Sequence, residues 1–185
     1  MIQNRVIIFP TDTVYGIGAS IYDKEGMDRI YAIKKRSYDK PLAVLCANLE
    51  QIDGICYLTD DAKKLIKAFL PGPLTLILKS KEVIMPSFNR PTVGVRIPNY
   101  DTALEILLND GPMATTSVNE SGQPSINNYS TIKDEYDDLV DAIYPPSGAK
   151  TSSLPSTVVD ITGNEPRVLR VGAITLDMIM DCLKK

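Results

Sequence analysis

Apolar positions along the chain fall into two kinds of run. One kind is short, continuous and rich in branched residues. Val6-Ile-Ile-Phe9, stopped by Pro10, is the first. Leu42-Ala-Val-Leu-Cys46, Leu74-Thr-Leu-Ile-Leu78, Val93-Gly-Val-Arg-Ile97 and residues 112–116 follow, then Asp141-Ala-Ile-Tyr144, Thr157-Val-Val-Asp-Ile161 and Arg167-Val-Leu169. Such runs predict strands, the unbroken ones buried on both faces. The other kind repeats every three to four residues. Met27, Ile30, Tyr31 and Ile33 follow Asp23, a suitable N-cap; Ala62, Leu65, Ile66 and Phe69 follow Thr59. Asp60 and Asp61 occupy the first turn of that second helix, where the positive end of the helix dipole favours acids. Pro71-Gly72-Pro73 stops it, and further helices are expected over 103–108, from Thr131, and over 175–183. Strands and helices in mixed order predict an α/β or α+β domain with a large mixed sheet. Residues 119–128 and 145–155 read as long polar loops, of the length at which loops carry function or are disordered.

Composition narrows the chemistry. The 185 residues and 20.3 kDa suit a single domain over 1–185. Histidine is absent, which excludes a Ser-His or Cys-His base, a His-ligated zinc and an imidazole proton shuttle. Cys46, Cys56 and Cys182 form no CxxC pair, so a zinc knuckle or a dithiol redox site is not expected. Three scattered thiols fit a reducing cytoplasm. No run approaches the ~20 apolar residues of a membrane span, and the first residues lack a signal-peptide core. A net charge of −3 argues against a surface wholly devoted to nucleic acid and leaves local basic patches open.

Five segments can carry chemistry. Pro10-Thr-Asp-Thr-Val-Tyr-Gly-Ile-Gly18 places hydroxyls and glycines after a buried strand, where ligands of α/β proteins sit; the alternative is a turn that needs glycine for its dihedrals. Lys34-Lys-Arg36 ends a helix, either balancing its dipole or converging on phosphate. Arg96 lies inside an apolar strand, so it either sits on an exposed face or is paired with an anion. Residues 115–125 supply hydroxyls and an amide just past a strand, enough to ring a polar ligand or to form a turn-rich surface loop. Ser156 and Arg170 lie across an apparent hairpin and can face one site. A site of Lys, Arg, Thr, Ser and Asn binds polyanions and works by positioning and charge stabilisation, as phosphoryl and nucleotidyl transfer require. Neither a Walker A motif nor GxGxxG is present.

Together these segments resemble the threonylcarbamoyl-AMP synthase, or YrdC-like, family in its short form. The likeness runs from residue 7 to residue 172. It is carried by Pro-Thr-Asp-Thr-Val-Tyr-Gly-Ile-Gly (10–18), Lys-x-Arg (34–36), Lys-Pro-Leu (40–42), Pro-Gly-Pro-Leu-Thr (71–75), Gly-Val-Arg-Ile-Pro (94–98), Thr-Ser-x-Asn-x-Ser-Gly-x-Pro (116–124), Ser-Thr-Val-Val-Asp (156–160) and Arg-x-Gly (170–172). Each piece is weak alone; in this order they are specific.

The resemblance implies a twisted, mostly mixed sheet flanked by helices around a large positively charged cavity. It implies a cytoplasmic nucleotidyltransferase that joins L-threonine, bicarbonate or CO2 and ATP, with Mg2+, into threonylcarbamoyl-AMP and pyrophosphate. A separate transferase complex would then modify tRNA. Carried over position by position, Thr11, Arg96, Thr116 and Ser156 form the threonine pocket. Lys34 and Arg36 are the catalytic cations. Lys34, Tyr38, Thr92, Ser117, Val118 (through its backbone), Asn119, Ser125 and Arg170 form the nucleotide side, with Ser121 on the same loop. No protein-ligated metal and no membrane partner are implied. Ser37 stands where the family commonly has proline, and the chain starts about six residues before its first motif. The rival reading is a non-catalytic double-stranded RNA or tRNA-binding module, supported by Lys34-Lys35-Arg36 and by Lys63, Lys64 and Lys67, and opposed by the net negative charge. A carbamoyl-adenylate domain of hydrogenase maturation is the rival among enzymes.

Overall fold

The computed structural model describes residues 4–81, 90–148, 152 and 154–184, so part of the 145–155 loop lies outside the described residues. In chain order the elements are β1 (Ile7–Phe9), β2 (Gly16–Ser20), α1 (Lys24–Ile33), β3 (Ala43–Leu45) and α2 (Leu49–Ile55). Next come α3 (Asp60–Phe69), β4 (Leu74–Lys79), β5 (Thr92–Arg96), α4 (Asp101–Asp110) and β6 (Met113–Ser117). The chain continues through α5 (Tyr129–Tyr136), β7 (Ala142–Ile143), β8 (Thr157–Asp160), β9 (Arg167–Arg170) and α6 (Leu176–Leu183). Among the described residues the strands form one twisted, mixed sheet in the order β7-β1-β2-β6-β3-β5-β4-β8-β9. The pairs β1–β7, β3–β5 and β4–β8 are parallel and the others antiparallel.

Both faces of this sheet are covered. Successive residues of a strand point to opposite faces, and β1 separates its side chains in that way. Val6 and Ile8 join the larger core with Met27, Leu65 and Ile179 from the helices. Ile7 and Phe9 join a second core with Ala103, Ile106 and Leu107 of α4. A strand that serves two cores must be apolar throughout, which is why this run shows no alternation. On α3 only one stripe is buried, and burying Leu65 and Ile66 contributes about 1.5–3 kcal/mol each. Asp23 and Thr59 cap their helices as expected, accepting from the backbone N–H of Gly26 and Ala62.

Two elements depart from the sequence reading. Gly16 and Gly18 belong to β2 rather than to a turn, and neither has a positive φ. Their role is steric. A Cβ on Gly16 would stand 2.7 Å from Thr115 Cγ2, and one on Gly18 2.9 Å from Thr115 Oγ1. Helix α2 also escapes the pattern, because it spans seven residues and holds Gly54. Its cap, Asn48, accepts from Gln51 N–H and was the available signal.

Candidate functional site

Arg96 ends β5 with only 6% of its surface exposed. A guanidinium there must be bonded in full or nearly so, because an unpaired buried charge is prohibitive. Its Nε donates to the carbonyl oxygen of Gly72 at 3.0 Å, and one terminal nitrogen to Thr13 Oγ1 at 2.8 Å. The other terminal nitrogen forms an ion pair with Asp12 Oδ1. The anion expected for this arginine is therefore a carboxylate of the chain itself. Burial lowers the Arg96 pKa and Asp12 opposes that shift; nearby Arg170 adds to the lowering. A guanidinium has five N–H donors, of which three have partners among the described residues, leaving one on each terminal nitrogen without a described partner.

Arg170 comes from the edge hairpin β8–β9, and it meets Ser156 as the hairpin spacing suggested. Its Nε donates to the Ser156 carbonyl oxygen and a terminal nitrogen to Ser156 Oγ, each at 3.0 Å. Ser156 Oγ is also hydrogen-bonded to Thr75 Oγ1 at 2.7 Å, which joins the start of β8 to β4 through buried hydroxyls. Arg36 follows α1, and its donors reach the carbonyl oxygens of Lys40 and Pro41 at 3.0 Å. Among the described residues neither Arg36 nor Arg170 has a carboxylate partner within salt-bridge distance. Burial lowers both pKa values.

These groups surround one cavity of about 290 Å³, at the small end of the range for small-molecule sites. Its wall includes Arg36, Arg96 and Arg170, with Thr11, Thr13, Thr75, Thr115 and Thr116, and among the described residues no acid lines it. Gly94 keeps its floor open between Thr75 and Ala43. One guanidinium is ion-paired with Asp12 and, among the described residues, the other two form no salt bridge, so the space suits an anion carrying more than one negative group.

Lys34 lies elsewhere. It is 1% exposed and is not in the cavity wall. Its Nζ donates to the carbonyl oxygens of Ser117 and Asn119 at 2.5 Å and to Asn119 Oδ1 at 3.2 Å, which uses all three protons. Burial first, and then the charge of Arg36, push its pKa down to about 8. The Asn119 amide is equally committed: Oδ1 also accepts from Ser117 Oγ, and Nδ2 donates to the carbonyl oxygens of Glu120 and Gln123. Lys35 turns the chain between Lys34 and Arg36 with φ 49°, a left-handed conformation that costs a non-glycine residue about 1–2 kcal/mol. That turn sends Lys34 inward and leaves Arg36 at the cavity.

The cavity thus gathers Thr11, Arg36, Arg96, Thr116, Ser117, Ser125, Ser156 and Arg170 from the sequence-predicted set. Lys34, Tyr38, Thr92, Val118 and Asn119 are not in its wall. Tyr38 is 61% exposed and stacks on Tyr31 with ring centres 4.4 Å apart. Thr92 opens β5 opposite Lys79. Val118 spends its backbone inside the chain, donating to Tyr15 O and accepting from Ile126 N–H. The reading of single residues passed over Thr13, Thr75 and Thr115. The signal for Thr75 was a hydroxyl in an otherwise apolar run, the same signal that marked Arg96.

A family model for Sua5, YciO and YrdC, described as telomere recombination, matches residues 1–172. A Mycobacterium leprae protein is 37% identical over 186 residues, covering 97% of this chain and 82% of its own. The threonylcarbamoyl-AMP synthase of Pyrococcus abyssi is 34% identical over 181 residues, covering 96% of this chain and 53% of its own. The crystal structure of Pyrococcus abyssi Sua5 complexed with L-threonine superposes with a TM-score of 0.89 at 33% identity, over 97% of this chain and 54% of that one. The chain therefore spans about half the length of the Pyrococcus protein. Escherichia coli YciO superposes with a TM-score of 0.83 at 30% identity, over 95% and 86% of the two chains.

Proposed function

The chain belongs to the Sua5, YciO and YrdC family, and from that premise we propose that it is a threonylcarbamoyl-AMP synthase acting in tRNA modification. The observation that carries this reading is the division of charge in one cavity whose described lining holds three arginines and no acid. Among the described residues Arg96 keeps two donors without partners, the number a bidentate carboxylate takes, while Arg36 and Arg170 form no salt bridge. The L-threonine bound to the Pyrococcus relative supports an amino acid as one substrate.

In the reaction, L-threonine, bicarbonate and MgATP give threonylcarbamoyl-AMP, pyrophosphate and water. Arg96, with Thr11, Thr116 and Ser156, takes the threonine. The neutral threonine amine attacks the bicarbonate carbon and the C–OH bond breaks, the hydroxide leaving as water with one proton from the nitrogen, which gives the carbamate. A carbamate oxygen then attacks the α-phosphorus, and the bond to the bridging oxygen of pyrophosphate breaks. Arg36 and Arg170 stabilise the negative charge that grows as pyrophosphate leaves, from fixed positions that need no reorganisation. Ser117 and Ser125 face the nucleotide. Lys34, Asn119 and Val118 hold the loop that carries those serines, while Tyr38 and Thr92 stand outside the cavity wall. Mg2+ arrives on ATP as part of the substrate. The product passes to a tRNA threonylcarbamoyl transferase complex in the cytoplasm.

The test is pyrophosphate release from MgATP and bicarbonate with and without L-threonine. Release that requires threonine, and that serine supports poorly, is expected. Threonine-independent release would leave a nucleotide site and remove the synthase. Release under no condition, together with salt-dependent binding to double-stranded RNA, would favour the RNA-binding module.

A further inference from the structure

Asp12 stands behind the cavity wall. Thr11, Thr13 and Val14 line the cavity and Asp12 does not. Its Oδ1 pairs with Arg96 and also accepts from the backbone N–H of Asn99 at 3.0 Å. Its carbonyl oxygen accepts from Ser152 N–H at 2.8 Å. The side chains of Arg96 and Asp12 are 7% and 12% exposed, so little water screens the pair.

Two consequences follow from this placement. The first is geometric. Gly72 O, Thr13 Oγ1 and Asp12 Oδ1 each take a different nitrogen of one rigid plane. Three such contacts fix both the position and the rotation of the guanidinium, and so the direction of its two remaining donors. The second is electrostatic. Before any ligand arrives, the charge of Arg96 is already offset by a close ion pair, while among the described residues Arg36 and Arg170 form none, Asp39 acting on Arg36 only from beyond salt-bridge distance. A phosphate chain is drawn towards uncompensated charge. A carboxylate, smaller and bidentate, can still be held by two directed hydrogen bonds on a compensated arginine.

Resting on the synthase reading, we propose that Asp12 is a positioning and specificity-determining residue. It aims Arg96 at the amino-acid carboxylate, and it keeps phosphate groups out of that subsite by making it neutral. Asp12 touches neither substrate in this assignment and acts through Arg96 alone.

The experiment compares wild type, Asp12→Asn and Asp12→Glu. It measures calorimetric binding of L-threonine and of ATP, and the pattern of pyrophosphate inhibition against threonine. Asp12→Asn keeps the size and one oxygen acceptor but removes the charge. It is expected to weaken threonine binding at least tenfold, to leave ATP binding within threefold, and to turn pyrophosphate into a competitor of threonine. Asp12→Glu keeps the charge and shifts the acceptor by one methylene. It should weaken threonine binding by a similar factor without making pyrophosphate competitive. A merely structural role would move ATP and threonine together and leave the inhibition pattern alone; that result, or threonine binding within twofold of wild type in both variants, overturns the proposal. If one variant does not fold, the other decides by the same criteria. Wild-type protein that binds no threonine overturns the synthase reading and this inference with it, whereas wild-type binding beside unaffected variants overturns this inference alone.

Discussion

The ammonium of Lys34 holds Asn119 twice, donating to its carbonyl oxygen at 2.5 Å and to its side-chain Oδ1 at 3.2 Å across 85 positions of chain. The contact ties the end of α1 to the loop that follows β6. The backbone reinforces it, since Ser121 N–H donates to Lys34 O at 3.1 Å. In Lys34→Met the carbonyl oxygens of Ser117 and Asn119 lose this donor, while Asn119 Oδ1 keeps Ser117 Oγ, and an orphaned buried acceptor costs about 1–3 kcal/mol. The variant is expected to be less stable near pH 7 by an amount of that order. It should also raise the KM for ATP, because Ser117 and Ser125 ride on the same loop. Urea unfolding and steady-state kinetics check both. A variant with wild-type stability but lost activity would return Lys34 to the phosphates.

Burial of that ammonium sets a pH dependence with a definite sign. Lys34 titrates near 8 in the folded chain, against an ordinary lysine value of about 10.4. Between these values the unfolded chain binds more protons than the folded one, so the Lys34 contribution to stability rises with pH across that window. Below about pH 8 both states are protonated, and the contribution is flat at its lowest value. The stability of wild type minus that of Lys34→Met should therefore grow between pH 8 and pH 10. Groups common to both proteins cancel in the difference. A difference that stays constant, or shrinks, over that range contradicts the assigned shift.

Much of this arrangement could be read before the fold was known, and the losses have physical causes. Arg96, Ser156 and Arg170 were legible because a charge inside an apolar strand, or a pair across a hairpin, is odd in one dimension. The family resemblance puts Lys34 on the phosphates, whereas the basic cluster alone does not say which side chain turns inward. The left-handed Lys35 makes that choice. Gly16 and Gly18 leave a turn open as one of two readings because their steric reason, Thr115, lies almost a hundred residues away in sequence and next door in the sheet. Asp12 sat inside a quoted motif without a role of its own, since its partner Arg96 is 84 positions distant. Local periodicity survives in sequence; long-range pairing does not.

The glycine of Arg-x-Gly has a mechanical role that substitution should expose. A Cβ on Gly172 would stand 2.4 Å from Pro155 O and 2.6 Å from Thr157 N. Both are backbone atoms, so relief requires the chain itself to move. Gly172 N–H also donates to Thr157 Oγ1 at 3.0 Å. Gly172→Ala is expected to cost about 1–3 kcal/mol, the usual range for overpacking. It should also displace Ser156 from Thr75 and Arg170, so catalysis should fall by more than the loss of folded protein accounts for. Thermal unfolding with parallel activity measurements separates the two effects, and an alanine variant that is stable and fully active would contradict the geometry.

The assignment of the three cavity arginines predicts that their loss falls on different substrates. Arg96→Ala leaves Asp12 buried without its partner, and breaking such a pair costs about 3–5 kcal/mol. Circular dichroism should therefore accompany the binding data, with Arg96→Lys as the variant that retains a charge. Threonine binding is expected to disappear in Arg96→Ala while ATP binding falls much less. Arg170→Ala should act on the other half of the reaction. It removes a fixed cation from the nucleotide side, a loss of about 100- to 1,000-fold in turnover where one preorganised contact to growing charge is removed. Threonine affinity should move less, through Ser156, whose hydroxyl and carbonyl Arg170 holds. Lys63→Ala is the control. That lysine lies on the exposed side of α3, 3.8 Å from Asp60, in a surface pair worth about 0–1 kcal/mol, and its loss should leave both substrates within twofold. Equal losses of threonine and ATP binding in both arginine variants would mean that the cavity does not divide its charge, and the separate carboxylate and phosphate subsites would have to be abandoned.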